Sequence, residues 1–233
     1  MRTARRVRRT PPRTVPKAGS LINTEETYIW VEGLLPGEPT IARRKLGESF
    51  PEFAMAQVLL GSPETGDAET VAMTLDASRI DPALETEDGS DLRVELLTVV
   101  EGHGGVAADL LAHAATMISE GPHDRPPKPG TLLPNVAQGV EGVTARHGLL
   151  VVPFVWDEGV PHVHEVAHES RGRHAKQSDG PAEAELTHPG RLTVAAQLVM
   201  LNDEELDIAR KQGIEAVQAH LVQHGINLNN VYR

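Results

Sequence analysis

The chain has 233 residues, of which 39% are hydrophobic, seven are aromatic and none is cysteine. That length suits one large domain, and domains commonly run to about 100–200 residues; without cysteine, disulfides, thiolate catalysis and Cys-ligated zinc are excluded. Net charge is −11, but residues 1–20 hold Arg2, Arg5, Arg6, Arg8, Arg9, Arg13 and Lys17 and no acid, which leaves 15 basic against 33 acidic residues, a net −18, for residues 21–233.

An acidic body repels nucleic acid and attracts basic partners. The arm has the opposite sign, so it is the one segment suited to nucleic acid. With no aromatics between its arginines, it lacks the stacking groups of a single-strand binder. Residues 1–20, with Pro11, Pro12 and Pro16, read as a disordered basic arm, and residues 21–233 as a single domain. No apolar run approaches the ~18 residues of a membrane span, and no apolar stretch follows the basic start as a signal peptide requires. The expected location is therefore the cytoplasm, with no membrane contact.

Tyr28-Ile29-Trp30-Val31 predicts a short strand before the turn region Gly33–Pro39. Phe53–Leu60 and Thr70–Ser78 are two further apolar runs, and residues 81–90 form an acidic loop. Asp91–Val100 predicts a strand with Val94, Leu96 and Thr98 on one face and Arg93, Glu95, Leu97 and Val99 on the other. Glu95 beside Arg93 reads as a rim ion pair. A helix is predicted over 106–120, stopped by Gly121-Pro122. The preceding Gly102-His103-Gly104-Gly105 reads as a flexible turn that could also cradle an anion at the helix N-terminus. Leu149–Trp156 predicts an edge or bulged strand, because Pro153 cannot donate to a ladder. Asp157-Glu158-Gly159 then reads as a hairpin turn into a strand over 160–167, and residues 169–190 as a polar loop.

In the last unit Leu192, Val194, Ala196, Leu198 and Met200 alternate on one face of a strand. Asn202 and Glu205 have capping-box spacing. One helix is predicted over 203–223, with Leu206, Ala209, Gly213, Val217 and Leu221 as its inward stripe and Gly225 as its left-handed cap. Strands and helices do not alternate regularly. The expected class is therefore α+β, a mixed and mainly antiparallel sheet packed by two main helices.

One motif points to catalysis. His164-Glu165-Val166-Ala167-His168 matches the His-Glu-x-x-His pattern in which two histidines one helical turn apart bind zinc and the Glu acts as general base. His174 follows at a third-ligand distance. The chemistry needs a helix, whereas Gly159, Pro161, Val160 and Val163 favour a strand. In a strand His164 and His168 stand ~13 Å apart, too far for one ion with bonds to nitrogen of ~2.1 Å. A zinc hydrolase using His164, His168 and Glu165 stands as the alternative function. Otherwise no catalytic residue, metal site or cofactor is expected.

Four segments resemble the suppressor-of-fused domain family. Thr74-Leu75-Asp76-Ala77-Ser78 looks like its Thr-x-Gly-x-Ser strand end, with Asp76 where that family has glycine. Arg93-Val94-Glu95-Leu96 resembles its Arg-Val/Ala-Glu-Leu strand. Leu149–Phe154 resembles its apolar, proline-bearing strand. Leu198–Leu221, with Glu204-Glu205-Leu206 and Gly213, resembles its closing strand and helix, followed by Val231-Tyr232-Arg233. The resemblance implies an α+β sandwich that binds proteins. Eukaryotic relatives sequester a transcription factor, and bacterial relatives look like immunity proteins that neutralise toxins. It therefore implies a protein-binding module, an immunity-type protein whose partner is a basic toxin domain, and charge complementarity suits the acidic body to that partner.

Overall fold

The computed structural model describes residues 24–62, 64–102, 104–156, 159–165 and 190–233. The basic arm, His168, His174 and the polar stretch over 169–189 lie outside the described residues. Among the described residues four helices pack on the sheet: α1 (Thr24–Leu34), α2 (Val106–Glu120), α3 (Asp203–Gln212) and α4 (Ile214–Gln223). The strands are β1 (Thr40–Lys45), β2 (Glu52–Leu60), β3 (Glu69–Thr74), β4 (Leu84–Glu85), β5 (Asp91–Glu101), β6 (Leu132–Leu133), β7 (His147–Val151), β8 (His162–Glu165) and β9 (Arg191–Leu201).

The strands form one sheet in the order β1-β2-β3-β5-β9-β7-β6. Among the described residues only β5 and β9 run parallel; every other pair is antiparallel. The fold is therefore α+β with a mixed, mainly antiparallel sheet. Two neighbours share each side of the central pair. β3 and then the short β4 run along β5. Along β9, β7 pairs with residues 197–201 and β8 with residues 191–194. The expected hairpin between 149–156 and 160–167 is not formed: β8 pairs with β9 instead. Pro153 explains the difference, because the ladder of β7 stops at Val151 and the next residues leave the sheet.

Both faces of the central strands are covered, so β9 carries buried residues of both parities. Leu96, Ala196, Leu198 and Met200 meet Leu110, Leu111 and Ile118 of α2 on one face. On the other, Val31 and Leu35 from α1 and the residue after it cover Ala56, Met73, Leu97 and Ala195. Further along that second face, Val217 and Leu221 of α4 and Ala209 of α3 cover Leu149 and Leu201.

Tyr28–Val31 is helical, not a strand. Across a longer window Tyr28, Val31 and Leu35 have the 3-and-4 spacing of a helix face, and Val31 is buried while Ile29 is exposed. The four-residue run of bulky side chains hid that period. The closing helix is also two helices. Gly213 has φ 95° and ψ 172°, so α3 ends and α4 begins there at an angle. The inward stripe survives the break: Leu206, Ala209, Val217 and Leu221 are buried, and Gly213 is exposed. The capping box at Asn202 forms as expected. Asn202 Oδ1 accepts the Glu205 N–H at 2.9 Å, and Glu205 Oε2 accepts the Asn202 N–H at 2.8 Å. Gly225 takes φ 57° as the left-handed cap.

Candidate functional site

Glu95 is not a rim carboxylate. It is fully buried, and it clasps the turn after β3. Its Oε2 accepts the Thr74 hydroxyl at 2.5 Å and the Ala77 N–H at 3.0 Å; its Oε1 accepts the Ser78 N–H at 3.0 Å. Thr74 Oγ1 in turn accepts the Leu96 N–H at 2.8 Å, which leaves the hydroxyl proton for Glu95. Burial pushes the Glu95 pKa up, against the hydrogen bonds from Thr74 and Ser78 that pull it down. Arg93 pairs elsewhere, with Asp81 at 3.0 Å and Asp91 at 3.6 Å. Alternation puts Arg93 and Glu95 on one face of β5, but the carboxylate meets the backbone donors of Ala77 and Ser78 while the guanidinium reaches Asp81 and the Ile80 carbonyl. The cluster holds the fold and exposes no reactive atom.

His164 and Glu165 lie in β8, opposite Leu192 and Arg191 of β9. The first two residues of the His-Glu-x-x-His pattern are therefore extended, as the flanking Gly, Pro and Val predict, and not on the helical face that zinc chemistry needs. His164 Nε2 stands 3.2 Å from Ser90 Oγ. Among the described residues, no group of three or more His, Asp or Glu side chains is placed to hold a metal ion. Near the glycine turn at 102–105, the first turn of α2 carries Asp109, whose carboxylate meets Arg44 at 2.5 Å. A negative charge from within the chain already faces the positive end of that helix.

The feature suited to macromolecular contact lies on the second face, beside α4. There a groove of about 580 Å³ opens between the sheet and the helix. Its floor is Leu149, Val151 and Val199; its wall is Ile214, Leu221 and Val222 of α4, with Gln218 as a polar member. The opposite rim is Val152 and Phe154. Val222 is 82% exposed, Phe154 55% and Val152 52%. Scattered apolar surface residues are ordinary, but large ones gathered around one hollow mark an interaction surface. The sequence reading placed Val152 and Phe154 in an edge or bulged strand over Leu149–Trp156, whereas the strand ends at Val151. Pro153, which marked that strand as an edge or bulge, is where the chain leaves the sheet, since pairing ends before it. Val222 was legible too: it falls off the inward stripe of α4.

Among the described residues no helix is long and apolar enough to cross a membrane. Neither a protein-family model nor a curated protein sequence matches the chain. Solved structures do. A suppressor-of-fused homologue from Neisseria gonorrhoeae superposes with a TM-score of 0.58 at 14% identity, over 90% of this chain and 94% of that one. The fold is that of the suppressor-of-fused proteins. A chain of the Sufu–Fu complex crystal structure matches with a TM-score of 0.55 at 13% identity, over 94% of this chain and 92% of that one. Drosophila Suppressor of Fused matches with a TM-score of 0.50 at 13% identity, over 89% of this chain and 49% of that one, so the chain spans about half of the fly protein. On this suppressor-of-fused-like frame, the two short motifs at 74–78 and 93–96 are the two halves of the Glu95 clasp.

Proposed function

We propose that the chain is a protein-binding module whose docking surface is the groove between β7 and α4. The exposed Phe154 and Val222 beside that hollow carry this reading. The Sufu–Fu complex makes a protein the class of partner by analogy of fold. The partner is a basic toxin domain, neutralised by direct binding in the cytoplasm as an immunity protein would do. The net −18 of residues 21–233 supports a basic partner, because opposite charge accelerates capture. In this reading residues 21–233 act as one binding body, residues 1–20 are not required for docking, and function rests on binding without catalysis, metal or cofactor.

The test is capture from the native host with the wild type and with a Phe154→Ser, Val222→Ser double variant. Both positions are well exposed, so the variant should melt as the wild type does. A protein retained by the wild type and lost by the folded variant is the expected outcome. Retention of the same proteins by both overturns the docking site. The toxin reading has its own arm: expressed alone, the retained protein should arrest growth, and co-expression of the chain should restore it. A harmless partner sinks the toxin reading and leaves the docking reading in place.

A further inference from the structure

The groove also restricts the shape of what enters it. Strand addition is blocked along its floor. On one side β7 is paired with β9 through Val151. On the other, Leu150 O accepts the Gly130 N–H at 2.7 Å and the Leu150 N–H donates to Thr131 O at 2.9 Å. Further on, the Phe154 N–H donates to Gln197 Oε1 at 3.2 Å. An occupant must therefore dock through side chains laid over the sheet face.

On this face helices supply much of the cover of the sheet. α1 lies over one cluster and α3 with α4 over the other. Val151 and Val199 floor the groove beside α4. A helix laid there would extend the layer and present anchors at i, i+3 or i+4, and i+7 to the hollow. A second copy fits poorly, because three exposed side chains around a hollow fall short of the roughly 800 Å² per partner of a stable interface.

Charge sets the remaining property. Glu215 is exposed on α4 next to Ile214, and residues 21–233 carry a net −18. We infer that the groove takes an amphipathic helix of the partner protein with its apolar stripe on Val151, Phe154 and Val222 and basic residues on its flanks. The inference rests on the docking reading above and adds the shape and charge of the ligand.

Three synthetic peptides of about 18 residues, long enough to form isolated helices, serve as probes. One has Leu at i, i+3, i+4 and i+7 with Lys elsewhere. The second keeps the Leu pattern with Glu elsewhere. The third alternates Lys and Val and is extended. Binding to the full chain is read by fluorescence anisotropy, and the same titrations are run on Phe154→Ser, Val222→Ser. The Lys/Leu helix should bind at least about tenfold more tightly than either other peptide, and about tenfold more tightly to the wild type than to the variant. Equal affinity for both proteins overturns the inference, since attraction would then be charge alone. Preference for the extended peptide overturns it as well. A concentration-dependent dimer lost in the variant assigns the groove to a second copy and also overturns it. If the helix fails while cellular capture still depends on Phe154 and Val222, the helical inference falls and the docking reading stands. If neither depends on them, both fall.

Discussion

Glu95→Ala tests the clasp that joins the two motifs. The substitution removes an acceptor from three buried donors: the Thr74 hydroxyl and the Ala77 and Ser78 N–H groups. Each orphaned donor costs about 1–3 kcal/mol, and part of the sum is offset because a buried carboxylate no longer has to be desolvated. The expected net loss is about 3–5 kcal/mol, a large share of the ~5–15 kcal/mol that stabilises a domain. Glu95→Gln keeps the shape but turns an NH₂ toward one of the donors, so it should cost about 1–2 kcal/mol. Urea unfolding followed by far-UV circular dichroism at neutral pH measures both, with the slope checked for two-state behaviour. Burial raises the Glu95 pKa in the folded chain. The folded state thus keeps its proton to a higher pH than the unfolded state. Its contribution is complete below the unfolded pKa and is lost as pH rises through the folded one. Asp76, also raised by burial, acts in the same sense. The stability of the wild type relative to Glu95→Gln should therefore fall as pH rises from mildly acidic values. If Glu95→Ala unfolds within about 0.5 kcal/mol of the wild type, the clasp does not hold the turn, and the reasoning is wrong.

Gly213→Ala separates two helices from one. A Cβ would meet nothing within 4 Å, yet φ 95° and ψ 172° is a region that residues with a Cβ rarely enter. The substitution should lose about 1–3 kcal/mol; a continuous helix would gain about 1 kcal/mol from it, so the sign of the change in urea midpoint decides. Arg233→Ala should cost about 3 kcal/mol, because it strips buried Glu205 of a guanidinium 2.9 Å away; a loss below about 0.5 kcal/mol in the same titration would show that the pair contributes little. Gly148→Ala should destabilise by about 1–3 kcal/mol through overpacking, since its Cβ would stand 2.7 Å from Leu198 Cδ1 and 3.2 Å from both Leu133 and Val136; an unchanged melting temperature would contradict that. Phe154→Ser, Val222→Ser should unfold within about 0.5 kcal/mol of the wild type per site, because both side chains are well exposed.

What could be read from the sequence depended on whether the determining contacts were local. The bounds of α2 follow from its period and from Gly121, and Asn202 with Glu205 forms its box within one turn. β5 and β9 were legible because eleven-residue strands leave little ambiguity of period. The misread pieces were settled elsewhere in the chain. β8 lost its expected hairpin partner to β9, about 30 residues on. α1 is helical because Val31 and Leu35 have a sheet face to cover, which four bulky residues in a row do not reveal. Gly213 was placed on the inward stripe because its spacing fits a helix, and spacing does not report that a glycine has left helical φ and ψ. At the candidate site, the groove needs α4, β7 and β9 together, so only its fragments could be seen: a proline inside an apolar run, and a valine off the buried stripe.

Asp76 shows what the clasp demands and what it leaves free. At φ −150° the backbone at this position has no need of glycine. The Asp76 side chain turns away from Glu95 to other partners, accepting the Ala54 N–H at 3.1 Å and pairing with Arg79 at 3.2 Å. What the turn requires is an acceptor for the Ala77 and Ser78 N–H groups, and Glu95 on the neighbouring strand supplies it. Such obligations among buried polar groups constrain the local backbone more tightly than the identity of the residue at position 76 does. The groove has the opposite character. Val152, Phe154 and Val222 leave no polar group unpaired when they change, and their exposure makes substitution cheap in stability. If the proposed docking holds, partner choice at this surface can therefore vary without endangering the frame, which depends on buried groups such as Glu95.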